Sequence, residues 1–163
     1  MVIDMQLRKE NQVVTVFDDS LRRLAEEMLL VMYASDGIGL AAPQVGVNKR
    51  IMVFNEHGEP DRKEHEMVLV NPSIVSRSDE LVSEEEGCLS FPQIRGNVDR
   101  HVWIEVKYQD ITGKKVEKRL EKFPAIIFQH EYDHLDKVLY QTFYAPSLLF
   151  KCVFVADSVH RQV

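Results

Sequence analysis

Apolar positions along the chain keep two different rhythms. Leu21, Leu24, Ala25, Met28, Leu29 and Met32 recur at three- and four-residue spacing, with Arg22, Arg23, Glu26 and Glu27 between them. That period belongs to an amphipathic helix whose stripe of Leu and Met packs into a core. Asp18-Asp19-Ser20 offers a cap and negative charge at its start, and Gly37 is the expected stop. Elsewhere the rhythm is that of strands. Val13–Val16 reads as a short strand, Ile51–Phe54 and Met67–Val70 as buried ones, with Asn71-Pro72 closing the last. Val102, Ile104 and Val106 alternate with Trp103, Glu105 and Lys107, then Asp110-Ile111-Thr112-Gly113 turns the chain and Lys115–Leu120 returns, a hairpin. Residues 56–66 read as a charged surface loop in which His57 and His65 are solvated, and Ser76–Glu86 as a polar, acidic stretch. Pro124 suits the first turn of a helix that runs through Ile126, Ile127 and Phe128, and a short C-terminal helix is expected over Ala145–Val163. The fold class is α+β: mixed or antiparallel strands packed around the helix after Pro124, with a helix towards each end.

Composition narrows the class. A chain of 163 residues, 45% hydrophobic and 28% charged, is expected to form one domain, residues 1–163, with a core that needs no staple. A net charge of −6 speaks against a general grip on nucleic acid. Nothing approaches the length of a membrane span, and Met1–Arg8 lacks an apolar signal core. Cys88 and Cys152 are too few for a disulfide framework, which points to a reducing compartment.

Candidate chemistry gathers at His130-Glu131-Tyr132-Asp133-His134. On a helix, His130 and His134 lie four apart on one face and can aim two imidazoles at one metal ion. Glu131 is placed to take a proton from an attacking water. The bland alternative is an exposed turn with solvated histidines. The apolar run entering the motif favours burial, and buried His and Glu need partners. Two histidines need a further protein ligand. Cys88, in Glu86-Gly87-Cys88-Leu89-Ser90, is the candidate, although alone it would be read as a structural thiol. Gly37-Ile38-Gly39-Leu40-Ala41-Ala42-Pro43-Gln44 superficially matches a dinucleotide fingerprint. It follows a helix rather than a strand, however, and Pro43 would break the helix that must come next. Its glycines more plainly let backbone approach a ligand. Gln44 alone would pass for a solvated loop residue.

Taken together, the three stretches resemble the motifs of the peptide deformylases, in that family's order and near its spacing: Gly37–Gln44, Glu86–Ser90 and Gln129–Asp136. The resemblance runs from about Leu7 to Tyr140 and is greatest to bacterial and plastid-type members. It implies a hydrolase that removes the formyl group from N-formyl-methionyl nascent peptides during N-terminal methionine processing, releasing formate. The metal ligands would be Cys88, His130 and His134, holding Fe2+, with Zn2+, Ni2+ or Co2+ as substitutes. Activated water would attack the formyl carbon, with Glu131 as general base and then acid, and Gln44 and the Leu89 N–H would bind the oxyanion. Gly39 would pair with the extended peptide. Arg95 would line the cleft, and Ile38, Phe123, Ile126 and Ile127 would wall the methionine pocket. Glu86 and Arg100 would form a supporting ion pair.

The same resemblance implies a local contact with the ribosome near the exit tunnel. It also implies either a bacterial-type cytoplasm or, after removal of a transit peptide, a plastid or mitochondrial interior. Lys137 departs from the family's usual Gly, with an expected effect on stability rather than activity, and both termini are short by comparison. Two other classes stay on the table: a metalloprotease using the same His-Glu-x-x-His spacing, and a metal-stapled module that binds peptides without catalysis.

Overall fold

The computed structural model describes the backbone of residues 10–88, 91–136 and 154–155, and the side chains of residues 10–86 and 97–136. Helix α1 spans Asp19–Ala34. Asp18 caps it by accepting the Leu21 N–H through its carboxylate at 3.1 Å. Leu21, Ala25, Met28 and Met32 form its buried face. The helix stops before the expected glycine. Ser35 caps it, the left-handed residue is Asp36, and the Gly37 N–H returns to the Met32 carbonyl at 2.9 Å.

Strand β1, Gly39–Ala41, runs directly into a single 3-10 turn, Ala42–Val45, and β2 follows at Ile51–Phe54. Then come β3 at Met67–Arg77, β4 at Leu81–Cys88, β5 at Phe91–His101, β6 at Trp103–Gln109 and β7 at Lys115–Glu121. Helix α2, Lys122–Leu135, leaves β7 with no linker, and β8 is Phe154–Val155. The strands form one antiparallel sheet in the order β5-β4-β8-β1-β2-β3-β6-β7. The α+β class expected from the pattern is the class observed.

The apolar run Ile51-Met52-Val53-Phe54 does not alternate with polar residues because β2 is covered on both sides. Ile51 and Val53 pack with Leu21, Met28 and Met32 of α1. Met52 and Phe54 pack with Ile127, Phe128 and Leu135 of α2. Leu69 and Val70 of β3 divide between the two cores in the same way, so the middle of the sheet is sandwiched between the helices.

Four details differ from the sequence reading. Val13–Val16 is not a strand: both the N–H and the C=O of Val14 are taken by the Asn71 side chain, each at 2.8 Å. That leaves only an isolated bridge, Gln12 to Lys49. Asn71-Pro72 does not close β3, which continues to Arg77 through a register shift between Val70 and Ser73. Such a bulge is where a sheet tolerates proline. The polar, acidic stretch before Cys88, which shows no strand pattern in sequence, forms β4, paired along its length with β5. Most of the C-terminal helix expected over Ala145–Val163 lies outside the described residues. Within it, Phe154–Val155 is a strand, pairing with β1 and β4.

Helix α2 depends on its apolar face for its position. Phe128 is fully buried and stacks on Tyr132 with ring centroids 5.6 Å apart. Truncation to Phe128→Ala is expected to cost about 3–5 kcal/mol. Equilibrium urea unfolding checks this, and a loss below about 1 kcal/mol would mean that α2 is not anchored by this face.

Candidate metal centre

The motif His130–His134 lies in the last two turns of α2, and the helix brings it inside. His130, Glu131 and His134 are all buried. The imidazoles sit 5.1 Å apart between centroids, at 79° to each other. Two rings on one helix face at that separation can share one cation.

One ring nitrogen of His130 is already committed. Its Nδ1 lies 2.8 Å from Oε2 of Glu86, a carboxylate only 1% exposed. An ionised carboxylate can only accept, so Nδ1 carries the hydrogen and the metal-binding lone pair is left on Nε2. Glu86 accepts two further hydrogen bonds from Arg100, from Nε at 2.7 Å and from Nη2 at 3.0 Å. Arg100 Nη1 reaches back to Asp133 Oδ2 at 2.6 Å. Burial alone would raise the Glu86 pKa. The hydrogen bonds from His130 and Arg100 outweigh it and hold the carboxyl at about 2. His134 is pushed well below the usual imidazole range, chiefly by burial, with the Arg100 charge adding to it. It is therefore the neutral ring that metal ligation requires.

Several buried polar atoms have no hydrogen-bond partner among the described residues, among them both oxygens of Glu131, both ring nitrogens of His134, and Nε2 of Gln44. Burial pushes Glu131 up to about 8; His130 and Arg100 oppose the rise, and Glu86 and Asp133 add to it. Desolvated groups of this kind are costly to leave alone. A divalent cation beside them completes His134 and offsets the cost of the Glu131 charge, so the donor set fits a metal of the zinc or iron kind.

Gln44 is fixed by the turn after β1. Its Oε1 accepts the Ala41 N–H, which leaves its amide nitrogen as a buried donor with no partner among the described residues. Gly39 meets the site from the same strand. A methyl group placed on it would lie 2.6 Å from Oε1 of Glu131 and 2.9 Å from its Cγ, so only glycine lets β1 pass this close to the carboxylate.

Of the residues expected at the site, Glu86, Arg100, His130, Glu131, His134, Gln44 and Gly39 come together. Cys88 ends β4, two positions beyond Glu86, at the register position facing Phe91 of β5 and Phe154 of β8. Arg95 lies in β5 opposite Gly87. Leu89 and Lys137 lie outside the described residues. Ile38, Ile126 and Ile127 are buried in one cluster with Phe123 packed against it, and Ile127 keeps no exposed surface at all.

Two contributors escaped the sequence reading. Asp133, inside the motif itself, closes the Glu86–Arg100 chain onto α2. Gln129 straps α2 to β5: its Nε2 donates to the His101 and Ala125 carbonyls and its Oε1 accepts the His101 N–H, all at 2.9 Å. Its place directly before His130 was the available signal.

Known proteins resemble this chain in both sequence and fold. The family model described as polypeptide deformylase matches residues 2–146. Peptide deformylase 1B, chloroplastic/mitochondrial, of Arabidopsis thaliana is 50% identical over 137 residues, covering 84% of this chain and 50% of the relative. The chain thus spans about half the length of the plant relatives it matches. A peptide deformylase of Thermotoga neapolitana is 45% identical over 136 residues, covering 83% of this chain and 79% of the relative. Among solved structures, Arabidopsis peptide deformylase 1B in complex with an inhibitor superposes with a TM-score of 0.80 at 50% identity, covering 85% of this chain and 76% of that one. A Plasmodium falciparum peptide deformylase superposes at 0.81 with 45% identity, covering 85% and 81%.

Glu86 sets the orientation of His130, so Glu86→Gln is expected to weaken metal binding by about 10–100-fold. Competition against a chelator of known affinity measures it. An unchanged affinity would show that the Glu86 contact does not tune the ligand.

Proposed function

The chain belongs to the polypeptide deformylase family, and we propose that it hydrolyses the formyl group from peptides that begin with N-formyl-methionine, acting as one catalytic domain over residues 1–163. The observation that carries this reading is the Glu131 carboxylate, fully buried, with no protein partner among the described residues, on the same helix as two imidazoles. A carboxylate has little reason to be held there except to exchange protons.

His130, His134 and Cys88 would hold the metal. We favour ferrous iron, with zinc, nickel or cobalt as substitutes, since imidazole and thiolate ligands suit all of them. Bound there, the metal supplies Lewis acidity toward the formyl oxygen and the attacking water. The remaining work falls to the chain. Glu131 takes a proton from the water as the new C–O bond forms to the formyl carbon. The amide nitrogen of Gln44, with its oxygen pinned by Ala41, donates to the developing oxyanion, and the Leu89 N–H is proposed as the second donor. Glu131 then passes the proton to the amine nitrogen as the C–N bond breaks, leaving formate and a free N-terminus.

Ile38, Phe123 and Ile126 are proposed as walls of the methionine pocket, with Ile127 supporting them from the core. Arg95 is proposed to line the cleft further out. The place for an extended peptide is the gap between β1 and β4. That gap takes a single strand, and the chain's own Phe154–Val155 lies in it, facing Gly39 on one side and Cys88 on the other. A substrate pairing with Gly39 takes the same position. Action on nascent chains suggests work near the ribosomal exit tunnel. The relatives support two compartments, a plastid or mitochondrial interior and a bacterial-type cytoplasm.

Three outcomes are expected. With formyl-Met and unmodified peptides side by side, only the formylated one is consumed; cleavage of internal bonds would favour the protease reading instead. Glu131→Ala retains its metal and loses nearly all turnover, while Gln44→Ala loses about 10²–10³ in kcat; full activity in Glu131→Ala removes the proposed base. Deleting residues 154–163 lowers KM for peptide with little change in kcat, and an unchanged KM would mean that Phe154–Val155 does not compete for the slot.

A further inference from the structure

A second cluster of metal-ligand type lies outside the catalytic centre, in the loop after β2. It is built by Asn55, which is fully buried at the end of the strand. The Asn55 Nδ2 donates to Tyr33 Oη at 2.9 Å, to the Glu59 carbonyl at 3.0 Å and to the Arg62 carbonyl at 3.2 Å. Its Oδ1 accepts the His57 N–H at 3.0 Å. Residues 55–62 are thereby wound around one amide, and the single 3-10 turn Lys63–His65 returns the chain to its start. Tyr33 Oη also donates to Glu66 Oε1 at 2.9 Å, which pins the far end to α1.

The winding brings the two loop histidines into contact. The His57 and His65 rings meet edge to face with centroids 4.3 Å apart, at 82°. Glu56 Oε1 lies 3.6 Å from His65 Nδ1, too far for a good hydrogen bond, and Glu64 Oε1 lies 3.8 Å from Nε2 of the same ring. One donor atom from each of Glu56, His57 and His65 falls within 4.8 Å of the other two. A tetrahedral site with bonds of about 2.0–2.1 Å sets its donors roughly 3.3 Å apart, so the trio needs only a small inward closure. Arg62 is turned onto Glu59 at 2.6 Å.

We propose that Glu56, His57 and His65 form a second divalent-cation site, independent of the catalytic centre, that takes zinc or copper with solvent at the remaining position. Two imidazoles and one carboxylate select these ions over magnesium and calcium, which prefer all-oxygen shells. The site bears on the cleft through the backbone. The Asn55 N–H donates to the Ile38 carbonyl at 2.9 Å, and Gly58 sits so close to Ile38 that an added methyl would lie 3.0 Å from its Cγ2. A cation that locks the loop therefore stiffens the backbone leading into Gly39.

The test is a calorimetric titration of zinc into full-length protein that already carries one equivalent of metal at the catalytic centre, repeated with His57→Ala, His65→Ala and the double variant. All the exchanged side chains are solvent-accessible, and circular dichroism confirms that each variant is folded. The expected result is one further equivalent bound by the parent protein, weakened by about tenfold or more in each single variant and absent in the double. Added copper should show nitrogen superhyperfine splitting from two imidazoles by electron paramagnetic resonance, reduced to one in either single variant. No second equivalent, or a second equivalent that survives the double variant, overturns the assignment.

Discussion

The Glu86 carboxylate is the constraint on which the centre depends. It is buried and charged, and it is shared between an imidazole on α2 and a guanidinium on β5. A buried charge is stable only if its remaining lone pairs are satisfied, and here three hydrogen bonds do that. The consequence is structural as well as chemical. With β4 and β5 tied to α2 at this point, His130 can neither rotate nor change tautomer without uncovering charge in the interior. Asp133 closes the chain from the other end, so the helix that carries the ligands also holds the arginine that stabilises their support.

The rest of the site comes from topology. The β1 strand lies beside β2 in the doubly covered middle of the sheet, and its last residue leads into the turn that fixes Gln44. The absence of a side chain at Gly39 then allows β1 to pass against Glu131. The residues proposed as base, oxyanion donor and metal ligands thus come from segments far apart in sequence, on a sheet packed on both faces. The groups without a partner among the described residues are those to which the proposed reaction assigns a role, whereas the second carboxylate, Glu86, accepts three hydrogen bonds.

Much of this was readable from residue order. The period of α1, the continuous apolar run of β2 and the β6–β7 hairpin were marked by spacing and turn chemistry that act locally. The metal helix was marked by two histidines four apart within an apolar segment. The parts that were hidden depend on distant partners. β4 shows no strand pattern in sequence because Ser83, Glu84 and Glu85 make it polar on both faces, and only its pairing with β5 makes it a strand. Val13–Val16 has strand-forming residues, yet the Asn71 side chain takes the hydrogen bonds that a neighbouring strand would have used. Asp133 and Gln129 carried no role in the sequence, and their tertiary contacts alone give them a structural one. His57 and His65, read as solvated, are brought together only by the winding of the loop around Asn55.

In the proposed reaction the buried Glu131 carboxylate, beside a metal, drives hydrolysis of the formyl group. The most direct test is anaerobic formate release from a formyl-Met peptide, with metal content determined on the same samples across a series of partial loadings. The account predicts formate release that rises in proportion to metal bound at the His130–His134 centre and vanishes when that metal is removed. A fully loaded protein that releases no formate would contradict it, leaving a metal-stapled peptide-binding module.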